Sequence, residues 1–136
     1  MDTIYWAVKL TDASKSKLLG LFPAKHSNVY AEHMTIAFKP PRGVDEALMK
    51  ECGSKVNLEI IGYAEDEKGQ AVVVNSQSVP RIGGGTAHIT ISCADGTKPF
   101  YSNKLVESGY DSLPPVSLVG IVARFTNNGW DMCEEI

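Results

Sequence analysis

The sequence predicts an α+β domain of two lobes related by an approximate two-fold, with strands meeting at the middle and helices outside. Three observations predict it. Two of the three histidines sit in nearly the same tetrapeptide, His33-Met34-Thr35-Ile36 and His88-Ile89-Thr90-Ile91. Each tetrapeptide opens a run with strand alternation: His33 and Thr35 share one face against Met34, Ile36 and Phe38, and His88, Thr90 and Ser92 oppose Ile89, Ile91 and Cys93. Each motif strand is then followed by a breaker, a short helix and another strand over similar lengths. This is an internal repeat whose period is too long, and whose copies are too few, for a solenoid.

Ile4, Trp6, Val8 and Leu10 alternate with Tyr5, Ala7 and Lys9 in a half-buried first strand. Thr11 and Asp12 offer cap chemistry for a helix through Ser14 to Leu19, and residues 23–28 read as a loop. The first motif strand, 32–38, ends at the breaker Lys39-Pro40-Pro41-Arg42-Gly43. A helix follows over 45–52, closed by Gly53, and then a long strand over 55–65. A turn at Lys68-Gly69 leads into a strand over 70–75, so this pair forms a hairpin. Residues 76–86, with Pro80 and Gly83-Gly84-Gly85, make a flexible loop feeding the second motif strand at 87–93. After it come an Asp95-Gly96 turn, a helix over 99–107, a break at Pro114-Pro115 and a last strand over 116–125.

A chain of 136 residues suits one domain with a real core, here spanning 1–136. Apolar residues at 43% and charged residues at 21% exclude disordered, collagenous and disulfide-scaffold classes. No apolar run approaches the roughly 18 residues that span a bilayer, and acidic Asp2 stands where a leader would carry basic residues. A cytoplasmic protein without membrane contact is expected. Cys52, Cys93 and Cys133 are odd in number and widely spaced, which points to reduced thiols, with Cys93 in the core. Net charge is −3, and no basic stripe exists to grip a long duplex. A small anionic substrate or a nucleic-acid end remains compatible.

Each copy of the motif presents an imidazole and a hydroxyl roughly 7 Å apart on a rigid strand. Cleaving a phosphodiester by in-line attack needs a base for the nucleophile and an acid for the leaving oxygen. Two histidines facing one cleft supply both, since a reference pKa of about 6.5 lets one be neutral and the other charged. The threonine hydroxyls can hold the non-bridging phosphate oxygens. One His-x-Thr strand is commonplace; two in the same frame, at equivalent points of a repeat, are not. No cofactor is expected, because no ligand spacing for a metal surrounds the motifs, and no G-x-S-x-G elbow marks a serine hydrolase. His26 lacks the motif's context and is expected at the surface.

The two H-x-T-φ motifs and the repeated layout resemble the 2H phosphoesterase superfamily. The stretches Asn28 to His33 and Gly85 to Ser92, followed by Lys98-Pro99 and Ser102-Asn103, are similar to the branch that holds the cyclic phosphodiesterase domain of fungal-type tRNA ligases and phage anti-CBASS nucleases. The resemblance implies antiparallel sheets facing across a central cleft, with helices outside. It also implies metal-independent hydrolysis of a small RNA-type or cyclic nucleotide phosphodiester: 2′,3′-cyclic phosphate ends or cyclic oligonucleotide signals. Carried over by position, His33 and His88 are the acid/base pair and Thr35 and Thr90 the phosphate-binding hydroxyls. Which histidine is the base stays open. With no ligase or kinase domain attached, RNA-end repair is expected to proceed alone or with separate partners.

Around that centre, Tyr5 is placed to stack on a base, Lys9 to meet a phosphate, and Lys98 to form an anion site beside the second motif. Tyr30 and the 77–86 loop flank the cleft mouth, where Arg81 either closes over a nucleotide or decorates the surface. Trp6 belongs to the core, and the facing of Arg124 and Trp130 is not fixed by pattern. A monomer binding a small nucleotide or RNA end is expected; a non-catalytic nucleotide-binding module with the same cleft is the alternative.

Overall fold

The computed structural model describes residues 3–75, 81–82 and 84–133. In chain order the elements are β1 (Thr3–Leu10), α1 (Asp12–Leu21), β2 (Asn28–Val29), β3 (His33–Phe38), α2 (Arg42–Met49), β4 (Lys55–Glu65), β5 (Gly69–Val74), β6 (His88–Cys93), α3 (Tyr101–Glu107), β7 (Asp111–Thr126) and β8 (Gly129–Asp131). Residues 76–80 and Gly83 of the expected 76–86 loop lie outside the described residues.

The expected two-lobed α+β fold, with sheets facing across a cleft, is corrected by the strand pairing. β1, β3, β6, β5, β4 and β7 follow one another in a single antiparallel sheet, and β7 pairs back onto β1. The result is a closed six-stranded barrel, with β2 added beside β6 and β8 beside β7. The sequence repeat is real at the level of element order, β3-α2-β4 and β6-α3-β7. Both copies, however, donate strands to the same barrel, β3 to β6 and β4 to β7. What closes it is the 16-residue β7, long enough to serve β4 and β1 together. Pro114 and Pro115 do not break this strand as expected. The ladder steps from Ile60↔Val116 to Gly62↔Ser112, so both prolines fall in a bulge where no N–H is required.

Inside the barrel, Val8 pairs with Met34 and Val122, Met34 with Ile89, and Ile89 with Val72, all fully or almost fully buried. Leu18 of α1 belongs to this core, and Phe22, just past the end of α1, packs on it with Val44 and Leu48 of α2. Trp6 is buried as expected, and its indole N–H donates to Asp45 at 2.7 Å, tying α2 to β1. Thr11 caps α1 by accepting from the Ser14 N–H at 3.2 Å. The helix expected over 45–52 starts at Arg42 instead, because Pro41 sits at its N-cap, where a missing N–H costs nothing. α3 lies elsewhere, on the outer face, where Leu105 and Val106 meet Ala64, Ala71 and Val73.

The expectation of three reduced thiols is also corrected: Cys52 and Cys133 are joined, with Cα atoms 5.7 Å apart. Spacing along the chain hides this pair. The Gly53 N–H donates to Val122 O at 2.7 Å and Val122 N–H to Ser54 O at 2.9 Å, bringing the end of α2 beside the strand that leads into the C-terminal hairpin. Cys93 is free and buried in the core. No helix of the described residues is long and apolar enough to cross a membrane.

Candidate active site on the outer face of the barrel

β3 and β6 meet through one residue pair, Met34 with Ile89, each immediately after a motif histidine. Both point into the core, so His33, Thr35, His88 and Thr90 point outward. Because the strands are antiparallel, His33 lies on the Thr90 side of that pair and Thr35 on the His88 side, which puts the histidines at diagonal corners. The ladder before the pair is irregular. Tyr30 and Ala31 N–H groups donate to Ile91 and Thr90 carbonyls at 2.8 Å, and Glu32 and His33 then intervene before Met34 reaches Ile89. Ala31 takes φ 52° at this bulge, which lifts His33 out of the ladder.

All four motif side chains line one cavity of about 540 Å³, together with Tyr5, Tyr30, Glu32, Phe38, Arg81, Pro99, Phe100, Asn103, Phe125 and Trp130. The cavity lies on the outer face of a closed barrel, not between two lobes. α3 and its approach wall one side; Tyr5, Phe125 and Trp130 wall the other, in mutual ring contact at 5.2 to 5.7 Å between centroids. Tyr5 stacks on His33 at 5.2 Å, and Trp130 meets the same imidazole edge-on at 5.5 Å. Lys9 stands behind this wall, 6.0 Å from the Trp130 ring, and does not line the cavity. Lys98 lines a separate depression with Lys68, Asp95, Tyr101 and Lys104. His26 is outside both, its Nε2 2.9 Å from the Asp66 carbonyl oxygen.

The two imidazoles are held differently. His88 Nδ1–H donates to the Thr86 carbonyl at 2.7 Å, which leaves Nε2 with its lone pair toward the cavity. Thr86 is held in turn by Glu107 of α3, whose carboxylate accepts from both its N–H and its hydroxyl at 2.8 Å. Arg81 Nη1 lies 3.3 Å from the same carbonyl oxygen and 3.4 Å from His88 Nδ1, so two donors converge on one acceptor. Its loop is pinned to β3 by the Ile82 N–H, which donates to Ile36 O at 2.7 Å. Gly85, at φ 86°, gives the turn that folds this loop under the guanidinium.

His33 Nδ1 is buried without a partner among the described residues. A bare lone pair is the cheaper orphan, so the neutral ring carries its proton on Nε2, toward the cavity. Burial pushes the His33 pKa down to about 4; Glu32 opposes that, while His88 and Lys9 add to it. Burial also lowers the His88 pKa, but the Thr86 carbonyl and Glu107 favour its cation against Arg81. At rest one ring therefore offers a donor and the other an acceptor. Thr90 Oγ1 donates to Ser102 Oγ of α3 at 2.8 Å. Either hydroxyl can be the donor in such a pair, which frees the threonine proton when Ser102 gives its own.

Sequence reasoning missed the participation of Trp130, Phe125, Phe38 and Ser102, and left Arg81 undecided. Trp130 reaches the site only because β8 folds back on β7, a hairpin signalled by Asn127-Asn128-Gly129 alone. Among the described residues, no group of three His, Cys, Asp or Glu side chains converges as a metal ion would need.

A small closed antiparallel barrel with a paired His/Thr cavity on its outer face is thus the class of molecule that the fold and the site define. No protein-family profile and no curated protein matches the sequence. Among solved structures that it does match is the crystal structure of a fungal RNA kinase, at TM-score 0.54 and 14% identity, over 93% of this chain and 42% of that one. At that identity the likeness speaks for the fold alone, and the chain spans less than half the length of that neighbour.

Proposed function

We propose that this protein is a phosphodiesterase acting on a small RNA-type or cyclic nucleotide, by the two-histidine chemistry of the 2H phosphoesterases that its motifs resemble. The observation that carries this reading is the diagonal pair of imidazoles lining one cavity, His88 with Nδ1 on a carbonyl oxygen and His33 with Nδ1 unpartnered among the described residues. His88 Nε2 is the base that takes a proton from the attacking oxygen. His33 is the acid: once the bound phosphate's charge has brought it a second proton, it gives its Nε2 proton to the leaving oxygen as the P–O bond breaks. The division suits the environments. His88 keeps a carbonyl partner for its cation and is the stronger base, whereas His33 has none and makes the stronger acid. Thr35 and Thr90 hold the non-bridging oxygens between them, and Arg81 offsets their charge.

The test is turnover of 2′,3′-cyclic mononucleotides, cyclic oligonucleotides and short linear diesters by purified protein in EDTA. His33→Ala and His88→Ala each lower kcat by about 10²- to 10⁴-fold. Ligand that binds but returns unchanged identifies a binding module instead, and activity surviving the double substitution overturns the assignment.

A further inference from the structure

Phe100 is 80% exposed and Phe38 61% exposed, the two most exposed large apolar side chains among the described residues, and both line the cavity. Rings left in water at a pocket rim mark a surface meant to be covered. They stand on different elements. Phe38 follows Thr35 by three residues on β3 and pairs with Tyr5 of β1. Phe100 adjoins Pro99, whose carbonyl oxygen is 3.5 Å from Thr90 Oγ1, at the start of α3 on the far side of β6. The His/Thr quartet lies between them, and a lone phosphate would leave most of the cavity of about 540 Å³ unfilled.

We propose that the cavity seats a nucleobase on each side of the phosphate, one against Phe38 and one against Phe100, so that its substrate is an internucleotide diester and not a cyclic phosphate on a single nucleotide. This rests on the quartet binding phosphate, as in the function proposed above. Stacking against an aromatic face is tolerant of base identity; the Lys39 ammonium lies 5.5 Å from the centroid of the Phe38 ring, which leaves that ring its opposite face, and no such partner stands over Phe100 among the described residues. Among the described residues Arg81 is the one permanent cation lining the cavity, matching the single negative charge of a diester.

The experiment is calorimetric titration with a 2′-deoxydinucleoside monophosphate, which lacks the internal nucleophile, and with its two singly abasic forms. Removing either base weakens binding by roughly tenfold or more. In Phe100→Ala, one abasic ligand binds as well as the full ligand; in Phe38→Ala, the other does. Both substitutions are at exposed positions, and circular dichroism checks the fold. The proposal is overturned if loss of either base leaves Kd unchanged, if both variants couple to the same base, or if a 2′,3′-cyclic mononucleotide binds as tightly as the dinucleotide. Two-base binding without turnover of any diester, cyclic or linear, leaves the two-base site standing and sinks the hydrolytic reading.

Discussion

The Thr86 carbonyl accepts the Nδ1–H of His88 at 2.7 Å, and through it a carboxylate one residue further out, Glu107, acts on the imidazole without touching it. Glu107 holds Thr86 by two hydrogen bonds and its charge favours the His88 cation. The tautomer of the ring is thereby set from α3, the same helix whose Ser102 meets Thr90.

On the proposed mechanism, Glu107→Gln leaves the fold intact and alters the base. Its loss lowers the His88 pKa further; because His33 holds the lower pKa of the two, the alkaline limb of the kcat/KM profile is the one that follows His88, and it moves to lower pH while kcat falls about 3- to 10-fold as the ring loses its fixed orientation. A merely structural role for Glu107 predicts lower thermal stability with an unmoved limb. The pH–rate profile on a cyclic or linear diester decides between them.

Both histidine pKa values lie below the usual 6.5 in the free protein. Since kcat/KM reports the free enzyme, both limbs of its bell are expected below pH 6.5, while kcat, measured with the anion bound, is displaced upward. Parallel profiles of the two constants test this, and coincident profiles contradict it.

His33 also couples stability to pH. Its pKa is lowered on folding, from about 6.5 to about 4, so the neutral ring's contribution is complete above pH 6.5 and is lost as pH falls toward 4. The span corresponds to about 3 kcal/mol. Urea unfolding at pH 7.5 and 4.5 should show most of that difference in the wild type and little of it in His33→Leu.

Gly120 and Gly62 make a contrast inside the barrel wall. A Cβ at Gly120 lands on the buried Val8 side chain and 2.9 Å from the Lys9 carbonyl oxygen, where β1 closes on β7. Neither neighbour can yield, and Gly120→Ala is expected to cost about 1–3 kcal/mol. At Gly62 the obstacle is the ring of Tyr110, which is 43% exposed and can swing out. Gly62→Ala should cost well under half as much in the same unfolding assay.

Cys133→Ser opens a loop that spans 81 residues of sequence, and a cross-link of that reach is worth about 4 kcal/mol. The unfolding midpoint should drop accordingly, and the wild type should reproduce the drop in reductant. Equal stability in oxidised and reduced protein would refute the pairing.

Much of this was legible beforehand. Period-two alternation located β1, β3, β4, β5 and β6 to within a residue or two, and the duplicated His-x-Thr frame put four side chains into one cavity. The fold class was not legible, because alternation says which face is buried and nothing about which edge a strand joins. A sheet that closes on itself buries the same residues as two facing sheets. Pro114-Pro115 misled for a related reason: a bulge absorbs what a flat ladder rejects. The cavity's aromatic wall depends on Trp130 and Phe125, which meet only because β8 folds back on β7.

The single Met34–Ile89 contact acts as the pivot of an approximate dyad: half a turn about it exchanges one histidine for the other and one threonine for the other. A phosphorus centred there has no intrinsic sense of direction. Strand polarity of whatever binds must be read from the unmatched periphery, the Thr86–Glu107 brace on one side and the Ala31 bulge on the other. Engineering those flanks, with the quartet untouched, is the route to reversing which end of a ligand departs.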